Sequence, residues 1–274
     1  MQVSPTHHFW THEGASYTVK VVILAGGLGT RLSEETELRP KPMVDIGNRP
    51  ILWHIMKSFA EHDFREFFVA LGYKGDVIKR YFLDYHGLSK SVTVDVATGR
   101  ASFHESEVDK WMVNLIDTGL TTQTGGRVRR LQPWLEDGTF MLTYGDGVSD
   151  VNLTELLRFH RAHGKVATLT AVRPAARFGA LTFDGDLVSS FMEKPQTGEG
   201  WINGGFMCLE PRVFEYIRGD DDSLEADTLT RLAADRELVA FRHDRFWQSM
   251  DTLRDVRLLE SLWQSGHAPW KTWK

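Results

Sequence analysis

The sequence is short of several things, and each shortage removes a class of explanation. Among 274 residues there is one cysteine, Cys208. An intramolecular disulfide and a multi-cysteine zinc site are therefore excluded, and a reducing cytoplasm is the expected compartment. Its neighbours Phe206, Met207 and Leu209 mark Cys208 as a buried structural thiol rather than a nucleophile. No apolar run approaches the roughly 20 residues needed to span a bilayer. Met1 to Thr18 lacks the apolar core of a signal peptide and reads as a flexible N-terminal extension; its histidines His7, His8 and His12 lack regular ligand spacing. A formal charge of -5 with no block of like charges speaks against nucleic acid or an anionic membrane as the partner.

What is present reads as an α/β protein. The chain is 42% hydrophobic and 25% charged, enough to bury a sizeable core. Strand and helix patterns alternate. Pro50 opens a helical pattern through Ile51, Ile55 and Phe59, Phe67 to Leu71 is a buried strand, and Val77, Ile78, Tyr81, Phe82 and Tyr85 mark one face of the next helix. Thr98-Gly99 interrupts a hairpin, and Met112 to Ile116 resumes the sheet. Phe140 to Tyr144 predicts a central strand ending at Gly145-Asp146-Gly147, which puts a carboxylate at the C-terminal edge of the sheet, where open α/β folds bind ligands. The second half is richer in strands, with Val166–Val172, Ala180–Phe183, Leu187–Met192 and Phe206–Leu209. Helices are expected over about 223–235 and 252–263. No internal repeat or Pro/Gly/Ser-rich linker divides the chain.

The most informative stretch is Leu24-Ala25-Gly26-Gly27-Leu28-Gly29-Thr30-Arg31, directly after the apolar run Val19-Lys20-Val21-Val22-Ile23-Leu24. Glycines at the end of a strand let backbone N–H groups approach phosphates where a Cβ would clash. Arg31 and Lys41 add positive charge on two sides, and Pro40 and Pro42 restrict the backbone around the lysine. Other nucleotide signatures do not fit. A dinucleotide fingerprint needs a third glycine where Leu32 stands, and a Walker loop needs Gly-Lys-Ser/Thr where Gly29 is followed by Thr30-Arg31.

With Lys41-Pro42-Met43-Val44, Trp53-His54, Thr143-Tyr144-Gly145-Asp146-Gly147, Glu193-Lys194-Pro195, Asn203-Gly204-Gly205-Phe206 and Met250-Asp251-Thr252, the chain resembles the sugar-1-phosphate nucleotidyltransferases from Val19 to its end. Ser33-Glu34-Glu35-Thr36, Trp53-His54 and Ala268-Pro269-Trp270-Lys271 are similar to the cytidylyl branch. The resemblance implies a Rossmann-like, mixed but mostly parallel sheet flanked by helices, of the GT-A-like kind, as one catalytic domain over 19–274. It implies transfer of CMP from CTP to a hexose 1-phosphate, glucose 1-phosphate, with CDP-glucose and pyrophosphate as products. Homo-oligomers, trimers or hexamers, are typical of the branch.

The resemblance also assigns residues. Asp146 and Asp251 would hold Mg2+, which favours one or two carboxylates with water and substrate oxygens. Arg31 would stabilise the β/γ-phosphates and Lys41 the α-phosphate. Leu24, Ala25, Gly26, Gly27, Gly29, Thr30, Thr122 and Arg127 would complete the nucleotide site, and Gly179, Glu193, Lys194, Asn203 and Gly204 would face the sugar phosphate. Without the resemblance, Asp146 is an ordinary turn residue, and either Asp251 or Thr252 caps the last helix.

The chemistry asks for little more. A phosphate monoester with a second pKa of about 6 is mostly a dianion at neutral pH, so no Ser-His-Asp arrangement or strong base is needed. The obstacle is repulsion between two polyanions. Ser249 stands where the branch usually has proline before the metal aspartate, and Ala175-Ala176 where Pro-Gly is common. With Leu224-Glu225-Ala226-Asp227-Thr228-Leu229, looser than the family's acidic, proline-containing pattern, these departures leave another hexose phosphate or a cyclitol phosphate open, and the shared phosphate machinery leaves another nucleotide open. A non-catalytic sugar-nucleotide sensor on the same fold stays open as well.

Overall fold

A computed structural model describes residues 19–29, 39–104, 109–174, 180–184, 187–192 and 200–273. The chain begins with β1 (Val21–Leu24), a short hairpin of β2 (Asp45–Ile46) and β3 (Arg49–Pro50), the helix Ile51–Glu61, β4 (Glu66–Leu71) and the helix Gly75–Leu88. A hairpin of β5 (Val92–Asp95) and β6 (Arg100–Phe103) precedes β7 (Met112–Asp117), the helices Thr124–Arg130 and Gln132–Leu135, β8 (Phe140–Tyr144) and β9 (Gly147–Ser149). After the helix Leu153–His163 come β10 (Ala167–Val172), the hairpin β11 (Ala180–Asp184) and β12 (Leu187–Met192), β13 (Ile202–Asn203) and β14 (Met207–Leu209). A 3-10 segment Pro211–Tyr216, a π-helical turn Leu224–Thr228, the helix Leu229–Ala234, β15 (Leu238–His243), β16 (Trp247–Ser249) and the helix Leu253–Gln264 complete it.

The main sheet has eight strands and runs β15, β10, β13 with β14, β8, β1, β4, β7. Strands β8, β1, β4 and β7 are mutually parallel, and β14 is antiparallel to both β8 and β10. The expected mixed, mostly parallel sheet is thus the one observed. β1 is buried along its whole length, and its side chains alternate between two layers. Val21 and Ile23 pack with the helix Ile51–Glu61 and the C-terminal Trp270, and Val22 and Leu24 pack with Val128, Leu131 and Leu224. Helical layers therefore cover both faces, as a parallel strand requires.

Two local features differ from the sequence reading. The helix expected over about 223–235 opens instead on the π turn, with Thr228 N–H reaching Ser223 O and the Ser223 hydroxyl accepting from Ala226 N–H. The stretch Thr124-Gly125-Gly126-Arg127, for which no helix is expected from the sequence, is the first turn of a helix despite the low helix propensity of glycine. Packing decides it. A Cβ on Gly125 would lie 2.7 Å from Asp222 O and one on Gly126 2.5 Å from Asp220 O, so only glycines let the 220–224 backbone press onto this helix. No helix among the described residues is long and apolar enough to cross a membrane.

Candidate active site

A cavity of about 340 Å³ opens where β1 and β8 end, lined by the glycine turn, Lys41, Thr122 to Thr124, Arg127 and Tyr144 to Asp146. Parallel sheets bind ligands at this carboxyl edge because the strand ends leave backbone groups free. β1 stops when Ala25 N–H takes Ala70 O at 3.1 Å, and the chain then turns through Gly26 and Gly27. At Gly26 a Cβ would sit 2.4 Å from Arg127 Cζ, whereas at Gly27 it would meet nothing within 4 Å. One glycine is demanded by packing, and the other borders open space.

Arg127 explains the first demand. It is 4% exposed. Its Nη1 donates toward Leu71 O, Gly119 O and Thr118 Oγ1 at 2.7 to 3.0 Å, and its Nη2 toward Gly26 O at 3.1 Å and Leu120 O at 3.3 Å. Burial, helped by Arg130, lowers its pKa from the ordinary arginine value. The carbonyl cage compensates that desolvation and ties the glycine turn to the segment carrying Thr122. Thr122 is itself buried, with its side chain on the cavity wall.

The two aspartates meet through a short ladder. β9 follows Asp146, β16 precedes Asp251, and the two pair with Gly147 opposite Ser249. Met250 N–H adds a bond to Asp146 O at 2.8 Å. Asp251 does not cap the last helix. Thr252 does, in a capping box with Asp255, whose Oδ2 also accepts from Asp251 N–H at 3.1 Å. The Asp251 carboxylate is left to the cleft, where Ser249 Oγ–H donates to Oδ2 at 2.9 Å.

Lys41 closes the constellation. Its Nζ donates to Asp146 Oδ2 at 2.6 Å and to Asp251 Oδ1 at 2.8 Å. Burial by itself lowers the lysine pKa, but the Asp146 and Asp251 carboxylates outweigh it and the net shift is upward, so the ammonium stays charged. The two carboxylates converge on one point of the cleft, the Lys41 ammonium. The donor set suits Mg2+, which takes its remaining ligands from water and phosphate oxygens. Among the described residues no cluster of three acidic, histidine or cysteine groups offers an all-protein cage.

On the other side of the cleft, Asn203 lies just before a two-residue bulge. Thr168 faces Cys208 and Ala171 faces Asn203, so three steps along β10 match five on the partner strand. Gly204 and Gly205 take up the excess: a Cβ on Gly204 would strike Val172 Cγ1 at 2.6 Å, and Gly205 adopts φ +73. Asn203 Nδ2 donates to Tyr144 Oη at 3.2 Å, which brings it to the cavity edge. Thr30, Arg31, Gly179, Glu193 and Lys194 lie outside the described residues. The sequence reading did not single out Tyr144, Thr124 or Ser249 as site residues. Tyr144 carried a signal, standing at the end of the strand that leads into Asp146.

The nucleotidyl transferase family model matches residues 20–264. A glucose-1-phosphate cytidylyltransferase of Salmonella typhi is 51% identical over 257 residues, 93% of this chain and 100% of that protein. A Bacillus subtilis protein named "Probable glucose-1-phosphate cytidylyltransferase" is 41% identical over 256 residues, again 93% and 100%. Among solved structures, HddC from Yersinia pseudotuberculosis complexed with GMP-PN superposes with a TM-score of 0.65 at 25% identity, covering 90% of this chain and 100% of that one.

Proposed function

The chain belongs to the nucleotidyl transferase family, and we propose that it transfers CMP from CTP to glucose 1-phosphate, releasing pyrophosphate and forming CDP-glucose. The observation that carries this reading is the meeting of Lys41, Asp146 and Asp251 at the glycine-turn cavity, in a chain half identical to a cytidylyltransferase along its length. A phosphate oxygen of the sugar 1-phosphate attacks the α-phosphorus in line. The bond from that phosphorus to the bridging oxygen breaks, and the electron pair leaves with pyrophosphate.

The protein's task is to bring two anions together and stabilise the growing charge. The triphosphate lies along the backbone of Gly26, Gly27 and Gly29, beside Leu24 and Ala25, and Thr122 faces the cytosine edge with a hydroxyl that both donates and accepts. Arg127 supports it from beneath by holding the carbonyls of Gly26 and Leu120. Lys41 supplies the ammonium nearest the α-phosphate. Thr30 and Arg31 serve the β- and γ-phosphates, and Gly179, Glu193, Lys194, Asn203 and Gly204 receive the sugar phosphate. Asp146 and Asp251 hold Mg2+, which supplies charge neutralisation at the phosphates.

The test is pyrophosphate release measured for CTP, dTTP, UTP, GTP and ATP against a panel of hexose and cyclitol phosphates with Mg2+ present. CTP with glucose 1-phosphate should lead every other pairing. A different leading pair would move the protein to another transferase of the same kind, and binding without turnover in every pairing would make it a sensor.

A further inference from the structure

Glu225 braces the cavity without lining it. It stands in the π turn Leu224–Thr228, a conformation that inserts one residue relative to an α turn and recurs near functional sites. Its Oε1 accepts from Tyr144 Oη–H at 2.7 Å. Its Oε2 accepts from Thr124 Oγ1–H at 2.7 Å and Ser223 Oγ–H at 2.9 Å. Thr124 and Tyr144 both line the cavity, the first at the start of the helix on the nucleotide side, the second at the end of β8. One exposed carboxylate thus joins two walls.

The hydrogen-bond directions follow from the groups themselves. A carboxylate only accepts, and a phenol has one hydrogen. The Tyr144 hydrogen therefore points at Glu225, and Tyr144 Oη accepts from Asn203 Nδ2 at 3.2 Å. Gly205 N–H independently donates to Asn203 Oδ1 at 3.0 Å, which assigns the same amide orientation from the other end. Burial, with Glu225 next, pushes the Tyr144 phenol well above its ordinary range, so it remains a donor throughout neutral pH. Asn203 keeps one N–H and one oxygen lone pair unused in this relay, a donor and acceptor side by side that match a sugar hydroxyl.

We propose that Glu225 is a positioning residue for the acceptor, fixing through Tyr144 the face that Asn203 presents to a pyranose hydroxyl. The proposal rests on the transferase reading above. Without the carboxylate the Tyr144 hydrogen is free to turn toward Asn203, and the amide keeps only the Gly205 N–H as a fixed partner.

The measurement is steady-state kinetics with each substrate varied in turn, together with thermal unfolding, for wild type, Glu225→Ala, Glu225→Gln, Tyr144→Phe and the Glu225→Ala/Tyr144→Phe pair. Glu225→Ala and Tyr144→Phe should each raise the KM for the hexose 1-phosphate about tenfold, the usual scale for losing one hydrogen bond. The nucleotide KM should change much less, because Thr124 Oγ1 keeps its bond from Leu224 N–H at 2.8 Å. Glu225→Gln, whose amide oxygen still accepts the phenol hydrogen, should stay near wild type, and the double variant should be no worse than Tyr144→Phe. Effects that multiply in the double variant, an unchanged acceptor KM in Glu225→Ala, or a parallel rise in the nucleotide KM would overturn the proposal. Because Glu225 is exposed, unfolding temperatures should not move, and a fall that tracks the kinetic loss would also overturn it. A wild type that turns over no sugar 1-phosphate would remove the transferase reading and this proposal together, whereas active wild type with unaffected variants would remove this proposal alone.

Discussion

Lys41 in the cleft and His54 beneath the C-terminal tryptophans are both withdrawn from bulk water, and the protein holds them in opposite charge states. Burial disfavours the charged form at each site. Beside Lys41 stand two carboxylates, and its pKa ends above the ordinary value. Around His54 are the Ile46 carbonyl at 2.8 Å, Trp270 Nε1 at 3.4 Å and the Trp263 ring at 4.6 Å, and burial lowers its pKa to about 4. A neutral ring satisfies both polar neighbours, with Nε2–H donating to Ile46 O and Nδ1 accepting from Trp270. The cleft is built to keep charge for a polyanionic ligand, and the clamp beside it is built to exclude charge.

Breaking the charged side should have the largest effects. Asp251→Asn removes one carboxylate from the pair while leaving the Thr252 cap in place, so turnover with Mg2+ should fall by at least about a thousandfold in a folded protein. Near-normal turnover would refute the role of Asp251. Lys41→Met should lower kcat by about a hundredfold, the scale of one lost preorganised charge contact. Mn2+ binding to the free Lys41→Met protein, followed by water proton relaxation, should be tighter than wild type, because no ammonium then competes for Asp146 and Asp251. Weaker binding would mean that Lys41 helps to assemble the metal site rather than sharing its ligands.

The charged side was also the easier one to read. Val21 to Leu24 and the glycines after it announce a strand and a turn through local composition alone, and the structure places the turn at the cavity. Other parts depend on contacts between distant segments. Arg127 is assigned to the nucleotide site by resemblance, and no local pattern announces its burial, which the carbonyls of Gly26, Leu71, Gly119 and Leu120 justify. The three-residue strands β9 and β16, which bring Asp146 to Asp251, are too short to carry a periodic pattern. The 224–229 stretch stands out in the sequence only as a looser acidic pattern, and the bracing role of Glu225 is not legible there because its partners Thr124 and Tyr144 come from other elements.

On the neutral side the lever is pH. His54 has a folded pKa of about 4 against an ordinary 6.5, so the unfolded chain takes up the proton first. Its contribution to stability is complete above about pH 6.5 and is lost as pH falls toward 4, amounting to about 3 kcal/mol. Urea unfolding of wild type and His54→Gln at a series of pH values isolates this share. The wild-type curve should fall more steeply across that window, and parallel curves would mean that His54 is not held neutral.

The two regions meet at Thr252, whose capping box starts the helix Leu253–Gln264 that carries Trp263 into the clamp, one residue after Asp251 in the cleft. Thr252→Ala removes the side-chain acceptor for Asp255 N–H and should cost about 1 kcal/mol of stability, measured by urea unfolding. Asp255 keeps its bond to Asp251 N–H, and Ser249 and Lys41 still hold the Asp251 carboxylate. With three anchors left, kcat should change by less than about threefold. If kcat instead drops as far as in Lys41→Met, the clamp transmits its rigidity to the cleft through this cap, and the two regions act as one unit despite their opposite electrostatics.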